Sequence, residues 1–329
     1  MELLLNIGFI LVGLFGLFFG GNWLVTGASR IASKLGVPAI IVGLTVVAFG
    51  TSAPELMVSL QAAISGSSGI ALGNVVGSNI ANVGLILGMT GLVAPIAVNV
   101  TLVRREIPIM IVISLLCYLL LFDTEIGRVD GFILLAGFIV FNAAMVYITA
   151  TRSDEQKSAD AAAGGDDDGS EYAFGLEAGR LLVGIVILLL GANFTVRGAT
   201  FVAESFGVPE VVIGLTLVAF GTSLPELAAS LIAAFKGQAD IAVGNVIGSN
   251  IANLLLILGA TSLVSPIPIT EPGTWSPYVR GMLSFDFPLM LVFAVLMLPF
   301  ALDRVLNRAE AAFFLAVYAS FITASFLLQ

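Results

Sequence analysis

Residues 43–56 read GLTVVAFGTSAPEL, and residues 214–227 read GLTLVAFGTSLPEL. Both stretches are largely apolar, yet each has two glycines, three hydroxyl residues, a proline and a glutamate at the same positions. The second copy begins 171 residues after the first, and the same offset pairs Asn22 with Asn193 without a gap. The chain is therefore interpreted as an internal duplication, in which one repeat is used twice.

The composition around these stretches is that of a membrane protein. Of the 329 residues, 58% are hydrophobic and 11% are charged, and the mean hydropathy is +1.08. Apolar runs of about 20 residues, the length that crosses about 30 Å of hydrocarbon, recur along the whole chain. We predict an all-α membrane protein with ten transmembrane helices. The first apolar run lacks a basic leader and a cleavage site, so we expect it to be a retained helix.

The repeats divide the chain into three regions. We predict a first five-helix repeat over 1–149, an acidic flexible linker over 150–176, and a second five-helix repeat over 177–329. A repeat with an odd number of helices enters the membrane from the opposite side in its second copy, so the two repeats should be inverted. Lys and Arg concentrate in alternate connections, which the positive-inside rule places in the cytoplasm if both termini are extracytoplasmic.

Both copies of the motif should interrupt their helices in the middle of the membrane. Pro54 and Pro225 have no amide hydrogen and disfavour helical geometry in the residue before them. Each motif is followed by a glycine-rich segment, GNVVGSN from Gly73 and GNVIGSN from Gly244. We therefore predict broken helices two, three, seven and eight. Glycines at this spacing are also ordinary contacts between membrane helices.

The two glutamates of the motif are the strongest functional signal. Glu55 and Glu226 lie near the centres of their apolar runs, where a charge costs about 2.5 to 3.5 kcal/mol on insertion scales. The sequence contains no Lys or Arg over 35–103, 198–235 or 237–279 to pair with them. The neutralising cation should therefore come from outside the chain, either as a proton or as a metal ion.

Neutral oxygen ligands surround the glutamates in the sequence. Carboxylate, hydroxyl, amide and carbonyl oxygens are hard ligands that suit calcium, and sodium also accepts them, whereas zinc prefers nitrogen or sulfur. Hydrogen bonding between helices is the alternative role for each hydroxyl or amide. The candidate metal ligands beside the glutamates are Thr51, Ser52, Ser78, Asn82, Thr222, Ser223, Ser249 and Asn253.

Other classes of protein fit the sequence less well. An intramembrane hydrolase would need a base to activate Ser52 or Ser223, and the chain contains no histidine. A channel is disfavoured because two carboxylates in a narrow site bind a divalent ion too tightly for rapid flux. Cys117 is the only cysteine, so neither a disulfide within the chain nor a thiolate metal cluster is expected. We therefore expect a transporter, not an enzyme, with no cofactor and no nucleic-acid partner.

The paired G-T-S-x-P-E and G-N-x-x-G-S-N motifs resemble the alpha-repeats of sodium/calcium exchangers in the calcium/cation antiporter superfamily, particularly the prokaryotic members. The resemblance covers nearly the whole chain. It implies a multi-pass protein of the prokaryotic plasma membrane that exchanges Na⁺ for Ca²⁺ by alternating access. It also implies that Glu55 and Glu226 bind calcium, with the carbonyls of Ala48 and Ala219 as further ligands, and that the first and sixth helices slide past this core.

Two departures within the superfamily refine this expectation. Potassium-dependent relatives have aspartate where this chain has Asn253, so we expect an exchanger that does not need potassium. The calcium/proton branch typically has a glutamate where Gly77 and Gly248 stand, which favours sodium coupling. A cation/proton antiporter that uses the same two glutamates remains the alternative. The transported ions and the bilayer are the expected partners, and the sequence identifies no protein partner.

Overall fold

Helices make up nearly all of the described chain, because a helix satisfies the backbone hydrogen bonds of an apolar segment internally. The computed structural model describes residues 2–98, 100, 102–122, 125–151, 173–207, 219–268, 282–302 and 305–327. The helices in chain order are α1 (Glu2–Leu35), α2 (Ala39–Thr51), α3 (Ala53–Ile64), α4 (Gly69–Val93), α5 (102–120), α6 (Arg128–Ala150), α7 (Phe174–Ser205), α8 (Ala219–Thr222), α9 (Leu224–Phe235), α10 (Ala239–Val264), α11 (282–302) and α12 (Arg308–Leu327).

Several of these helices are suited to a membrane. Among the described residues, α1, α4, α6, α7 and α10 are each long and apolar enough to cross it. The pair α2 and α3, bent by 45° at the break between them, makes a sixth span if it is counted as one. The chain is thus a helical membrane protein, and the count of ten spans and the inversion of the repeats stay predictions. Most of the predicted linker, 152–172, lies outside the described residues.

The breaks predicted from proline are present. Ser52 separates α2 from α3, and Ser223 separates α8 from α9. The prediction that helices three and eight are broken is wrong, because the corresponding helices α4 and α10 continue without interruption. Each instead contains a π-helical segment, Asn82–Leu87 in α4 and Asn253–Ile257 in α10. Glycine permits close packing without ending a helix, so the glycine-rich segments, 73–79 and 244–250, stay α-helical and continue into these π-helical segments.

The chain forms two compact units, and each takes segments from both sequence repeats. The first comprises 1–54 and 152–245. Its long helices α1 and α7 pack backbone to backbone through glycine: a Cβ at Gly20 would lie 2.5 Å from the nitrogen of Leu188. Leu24, Val25 and Leu188 fill the core beside this contact. The division of the chain into two five-helix repeats and a linker stays a prediction.

The second unit comprises 55–151 and 246–329. Its helices include α4, α5, α6, α11 and α12, with buried Phe293 and Phe314 stacked at 6.2 Å between ring centroids. Two short antiparallel strand pairs join connections from different repeats. They are β1 (Ile96–Ala97) with β4 (Val305–Leu306), and β2 (Glu125–Ile126) with β3 (Ile267–Pro268), in the registers Ile96 to Leu306 and Ile126 to Ile267.

Candidate cation-binding groups

The helix breaks place both motif glutamates in the first turn of a helix. Ser52 precedes α3 with φ −80° and ψ 10°, and Ser223 precedes α9 with φ −89° and ψ 2°. Each proline occupies a first-turn position, where the missing amide hydrogen costs no helical hydrogen bond. Glu55 and Glu226 follow directly and are 2% and 1% exposed. Their carboxylates are thus held at the positive end of a helix dipole and away from water.

Within the first unit, Glu226 is surrounded by hydroxyl and amide groups. Ser52 donates its hydroxyl hydrogen to Oε1 of Glu226 at 2.9 Å. In the part of the chain that the structure describes, Oε2 of Glu226 has no hydrogen-bond partner, although it is buried. Thr51 donates to Oδ1 of Asn245 at 3.1 Å, and Nδ2 of Asn245 donates to the carbonyl of Glu226 at 3.3 Å. These residues, Thr51, Ser52, Glu226 and Asn245, are called the Glu226 group.

An equivalent amide supports Glu55 in the second unit. Asn74 donates to the carbonyl of Glu55 at 3.1 Å and to the hydroxyl of Ser59 at 2.9 Å. In the first unit, Asn245 makes the same two contacts, with the carbonyl of Glu226 and with Ser230. Sequence reasoning missed Asn74 and Asn245 as functional residues. The available signal is their identical place in the two GNxxGSN segments.

Four asparagines of the second unit form two equivalent hydrogen bonds. Nδ2 of Asn82 donates to Oδ1 of Asn250 at 2.9 Å, and Nδ2 of Asn253 donates to Oδ1 of Asn79 at 2.9 Å. All four side chains are at most 4% exposed. Among the described residues, no hydrogen-bond donor meets Oδ1 of Asn82 or Oδ1 of Asn253. These residues are called the asparagine group. It presents two buried carbonyl oxygens that lack a donor.

The remaining predicted ligands are buried, but their roles differ. The carbonyl of Ala48 accepts from the amide of Ser52 at 3.0 Å and from the hydroxyl of Thr51 at 3.3 Å, so two donors already occupy it. Ala219 is the first described residue of α8, in the first unit. The four hydroxyl residues are at most 8% exposed: Thr222 and Ser223 lie in the first unit, and Ser78 and Ser249 in the second.

The charge around these groups restricts the ions they suit. Elsewhere in the described chain, ion pairs join Glu177 to Arg30 and Arg180, and Arg105 to Glu106. In the described ranges, no three His, Cys, Asp or Glu side chains cluster closely enough to hold a metal ion. A cation at these groups would therefore be bound by carboxylate oxygens supplemented by neutral oxygens. Such ligands suit sodium and calcium and do not suit zinc or copper.

Comparison with known proteins agrees with this chemistry. The family model described as "Sodium/calcium exchanger protein" matches residues 5–147 and 176–327. The chain belongs to the sodium/calcium exchanger family. The sodium/calcium exchanger MaX1 of Methanosarcina acetivorans is 35% identical over 98% of both chains. The putative antiporter CaxA of Alkalimonas amylolytica is 42% identical over 78% of this chain and 80% of its own.

Solved structures show the same likeness. A structure of the sodium-calcium exchanger NCX_Mj soaked with 10 mM Na⁺ and zero Ca²⁺ superposes with a TM-score of 0.82. It is 31% identical to this chain and covers 98% of it, and 99% of that structure is matched. As a member of the sodium/calcium exchanger family, the chain is a transmembrane ion antiporter, and sodium and calcium are the transported ions that the family implies.

Proposed function

We propose that this chain exchanges Na⁺ for Ca²⁺ across the prokaryotic plasma membrane as a secondary active transporter that works by alternating access. The observation that carries the proposal is Oε2 of Glu226, a buried carboxylate oxygen that no hydrogen-bond donor of the described chain meets. A charge in such a place is strongly unfavourable unless a cation balances it. A transported cation supplies that balance and leaves again, whereas a structural salt bridge would be permanent.

The neighbours of Glu226 match a hard cation. Ser52 already satisfies Oε1, so the other carboxylate oxygen is available to an ion. Calcium takes six to eight oxygen ligands in flexible geometry, which a mixture of carboxylate, amide and hydroxyl oxygens can provide. We extend the role to Glu55, because it holds the equivalent position in the other repeat and is equally buried. The unsatisfied amide oxygens of Asn82 and Asn253 support the same chemistry in the second unit.

The duplicated sequence supports the transport cycle. Transporters built from inverted repeats expose one set of ligands to each side of the membrane in turn. We propose that the ten predicted spans form two inverted repeats of five helices, and that the breaks at Ser52 and Ser223 supply ligands to the ions. The family match favours sodium coupling over the cation/proton alternative.

The test is uptake of radiolabelled calcium into proteoliposomes loaded with sodium, with and without an outward sodium gradient. Native protein should take up calcium only with the gradient. Glu226→Gln and Glu55→Gln should abolish uptake. Glu204→Gln is the matched control, because Glu204 is an exposed carboxylate at the end of α7 and its change removes the same charge. Calcium uptake that does not depend on the sodium gradient and is driven by a pH gradient would contradict the proposal and indicate cation/proton antiport.

A further inference from the structure

Two methionines contact the asparagine group. Nδ2 of Asn250 lies 3.5 Å from Sδ of Met110 on α5, and Nδ2 of Asn79 lies 3.5 Å from Sδ of Met290 on α11. Met110 and Met290 are 0% and 3% exposed, so water does not compete for these contacts. The two contacts are equivalent in the two repeats, as are the asparagine pairs. A methionine that only filled space would not need to meet an amide nitrogen in both copies.

A thioether sulfur fixes the orientation of the amide that faces it. Sulfur accepts a weak hydrogen bond and cannot donate one, so the amide turns its NH₂ side toward Sδ. Oδ1 of Asn250 then points away from Met110 and accepts from Asn82, as the 2.9 Å contact shows. If the amide of Asn250 were reversed, its oxygen would face a second acceptor. The orientation that Met110 gives to Asn250 in turn orients Asn82, whose NH₂ group donates to Oδ1 of Asn250.

We propose that Met110 and Met290 are positioning residues for the transported cation, acting through Asn250 and Asn79 to turn the oxygens of Asn82 and Asn253 toward it. This inference rests on the proposed function. Met110 acts through Asn250 on Asn82, and Met290 acts through Asn79 on Asn253. A reversed Asn82 or Asn253 would present NH₂ hydrogens to a cation and repel it. These contacts from methionine through asparagine to asparagine are called the relay. The relay holds the oxygens of Asn82 and Asn253 toward the cation before the ion arrives.

The relay explains how two neutral amides can bind a cation. A carboxylate in their place would bind it without being oriented by its neighbours. A carboxylate has two equivalent oxygens, and either one binds a cation after rotation. An amide has one oxygen and one NH₂ group, so its affinity for a cation depends on which one faces the ion. The NH₂ groups of Asn82 and Asn253 are both used by asparagine neighbours. Preorganisation of this kind strengthens binding because none of the binding free energy is used to order the amides.

The test replaces the sulfur and keeps the volume. Met110→Leu and Met290→Leu remove the acceptor with little change in packing. Met297→Leu is the matched control, because Met297 lies two helical turns after Met290 on α11 and is 4% exposed. Full-length protein in detergent is titrated with CaCl₂ and, separately, with NaCl while the unfolding temperature is followed. The half-saturating calcium concentration for uptake is measured in proteoliposomes.

Met110→Leu and Met290→Leu should each raise the half-saturating ion concentration about fivefold, because the amide of Asn250 or Asn79 loses the contact that fixes its orientation. Their unfolding temperatures without ions should equal that of Met297→Leu, because a packing defect is not the cause. In the Asn82→Ala background, Met110→Leu should add nothing, since the residue through which it acts is gone. Met290→Leu should still add its fivefold effect there, because it acts through Asn253.

Two results would overturn the relay. The first is that the Met110→Leu and Met290→Leu variants have the same half-saturating ion concentrations as Met297→Leu, while the native protein binds both ions. The second is a full fivefold effect of Met110→Leu in the Asn82→Ala background, which would mean that the methionine acts by another route. A native protein that neither binds nor transports sodium or calcium would overturn the proposed function itself, and the relay with it.

Discussion

The hydroxyl of Ser52 donates a 2.9 Å hydrogen bond to Oε1 of Glu226, joining residues that are 174 positions apart in the chain. The serine comes from the helix break of one repeat and the glutamate from the break of the other. Both side chains are at most 3% exposed, so the bond is not weakened by water. One carboxylate oxygen is thereby held in place while the other stays available.

Ser52→Ala should weaken cation binding without abolishing transport. The variant removes the hydroxyl that donates to Oε1 of Glu226, so the carboxylate loses this contact while keeping its charge. Loss of one hydrogen bond to a charged group should raise the half-saturating calcium concentration about tenfold. Ser262→Ala is the control, because Ser262 is buried and its hydroxyl donates to carbonyls of its own helix. Equal affinities for the two variants would show that the Ser52 bond does not position the carboxylate.

Calcium uptake should fall as the pH is lowered at a constant sodium gradient. The proposed ligands Glu55 and Glu226 would bind a metal ion only when they are deprotonated, so protons should compete with calcium at each of them. The half-saturating calcium concentration should rise by up to about tenfold per pH unit for each carboxylate that titrates. The maximum rate at saturating calcium should change much less. Uptake at low calcium that stays constant down to about pH 4, the range of ordinary carboxylates, would contradict the prediction.

The helix breaks at Ser52 and Ser223 could be predicted from sequence because their cause is local. Pro54 and Pro225 lack an amide hydrogen wherever they stand in a helix, and the repeat shows that the break occurs twice. The course of α4 and α10 could not be predicted in the same way. Glycine lowers helix propensity without forbidding a helix, so packing of the neighbouring helices decides whether the helix ends there. In this chain both helices continue through a π-helical segment.

The pairing of the asparagines also could not be read from sequence. Asn82 and Asn253 were expected to be ligands or bonds between helices, and the structure gives each amide both features: an NH₂ group bonded to another helix and a carbonyl oxygen without a donor. Which end of an amide faces its neighbour depends on tertiary contacts such as that of Asn250 with Met110. Sequence spacing carries no information about that choice.

Calcium uptake should not require potassium. Asn253 is neutral, and its Nδ2 is occupied by Asn79, so the second repeat lacks the carboxylate that would attract an additional monovalent ion. Replacing all potassium with choline on both sides of the proteoliposome membrane should leave sodium-dependent uptake unchanged within about a factor of 1.5. Sodium is held constant in both arms. A loss of uptake in choline that potassium restores would show that the neutral residue does not set the ion requirement.

Glu177→Ala should destabilise the protein without altering its affinity for ions. Glu177 is 1% exposed and bridges α1 and α7, with its carboxylate 3.2 Å from Arg30 and 2.7 Å from Arg180. Removing the carboxylate leaves two guanidinium groups close together and partly buried, which costs about 3 kcal/mol in comparable pairs. The unfolding temperature without ions should therefore drop by several degrees, whereas exposed Glu204→Gln should leave it unchanged. The half-saturating calcium concentration should match that of native protein, because neither arginine belongs to the Glu226 group. A weakened calcium affinity at unchanged stability would instead make Glu177 part of the transport machinery.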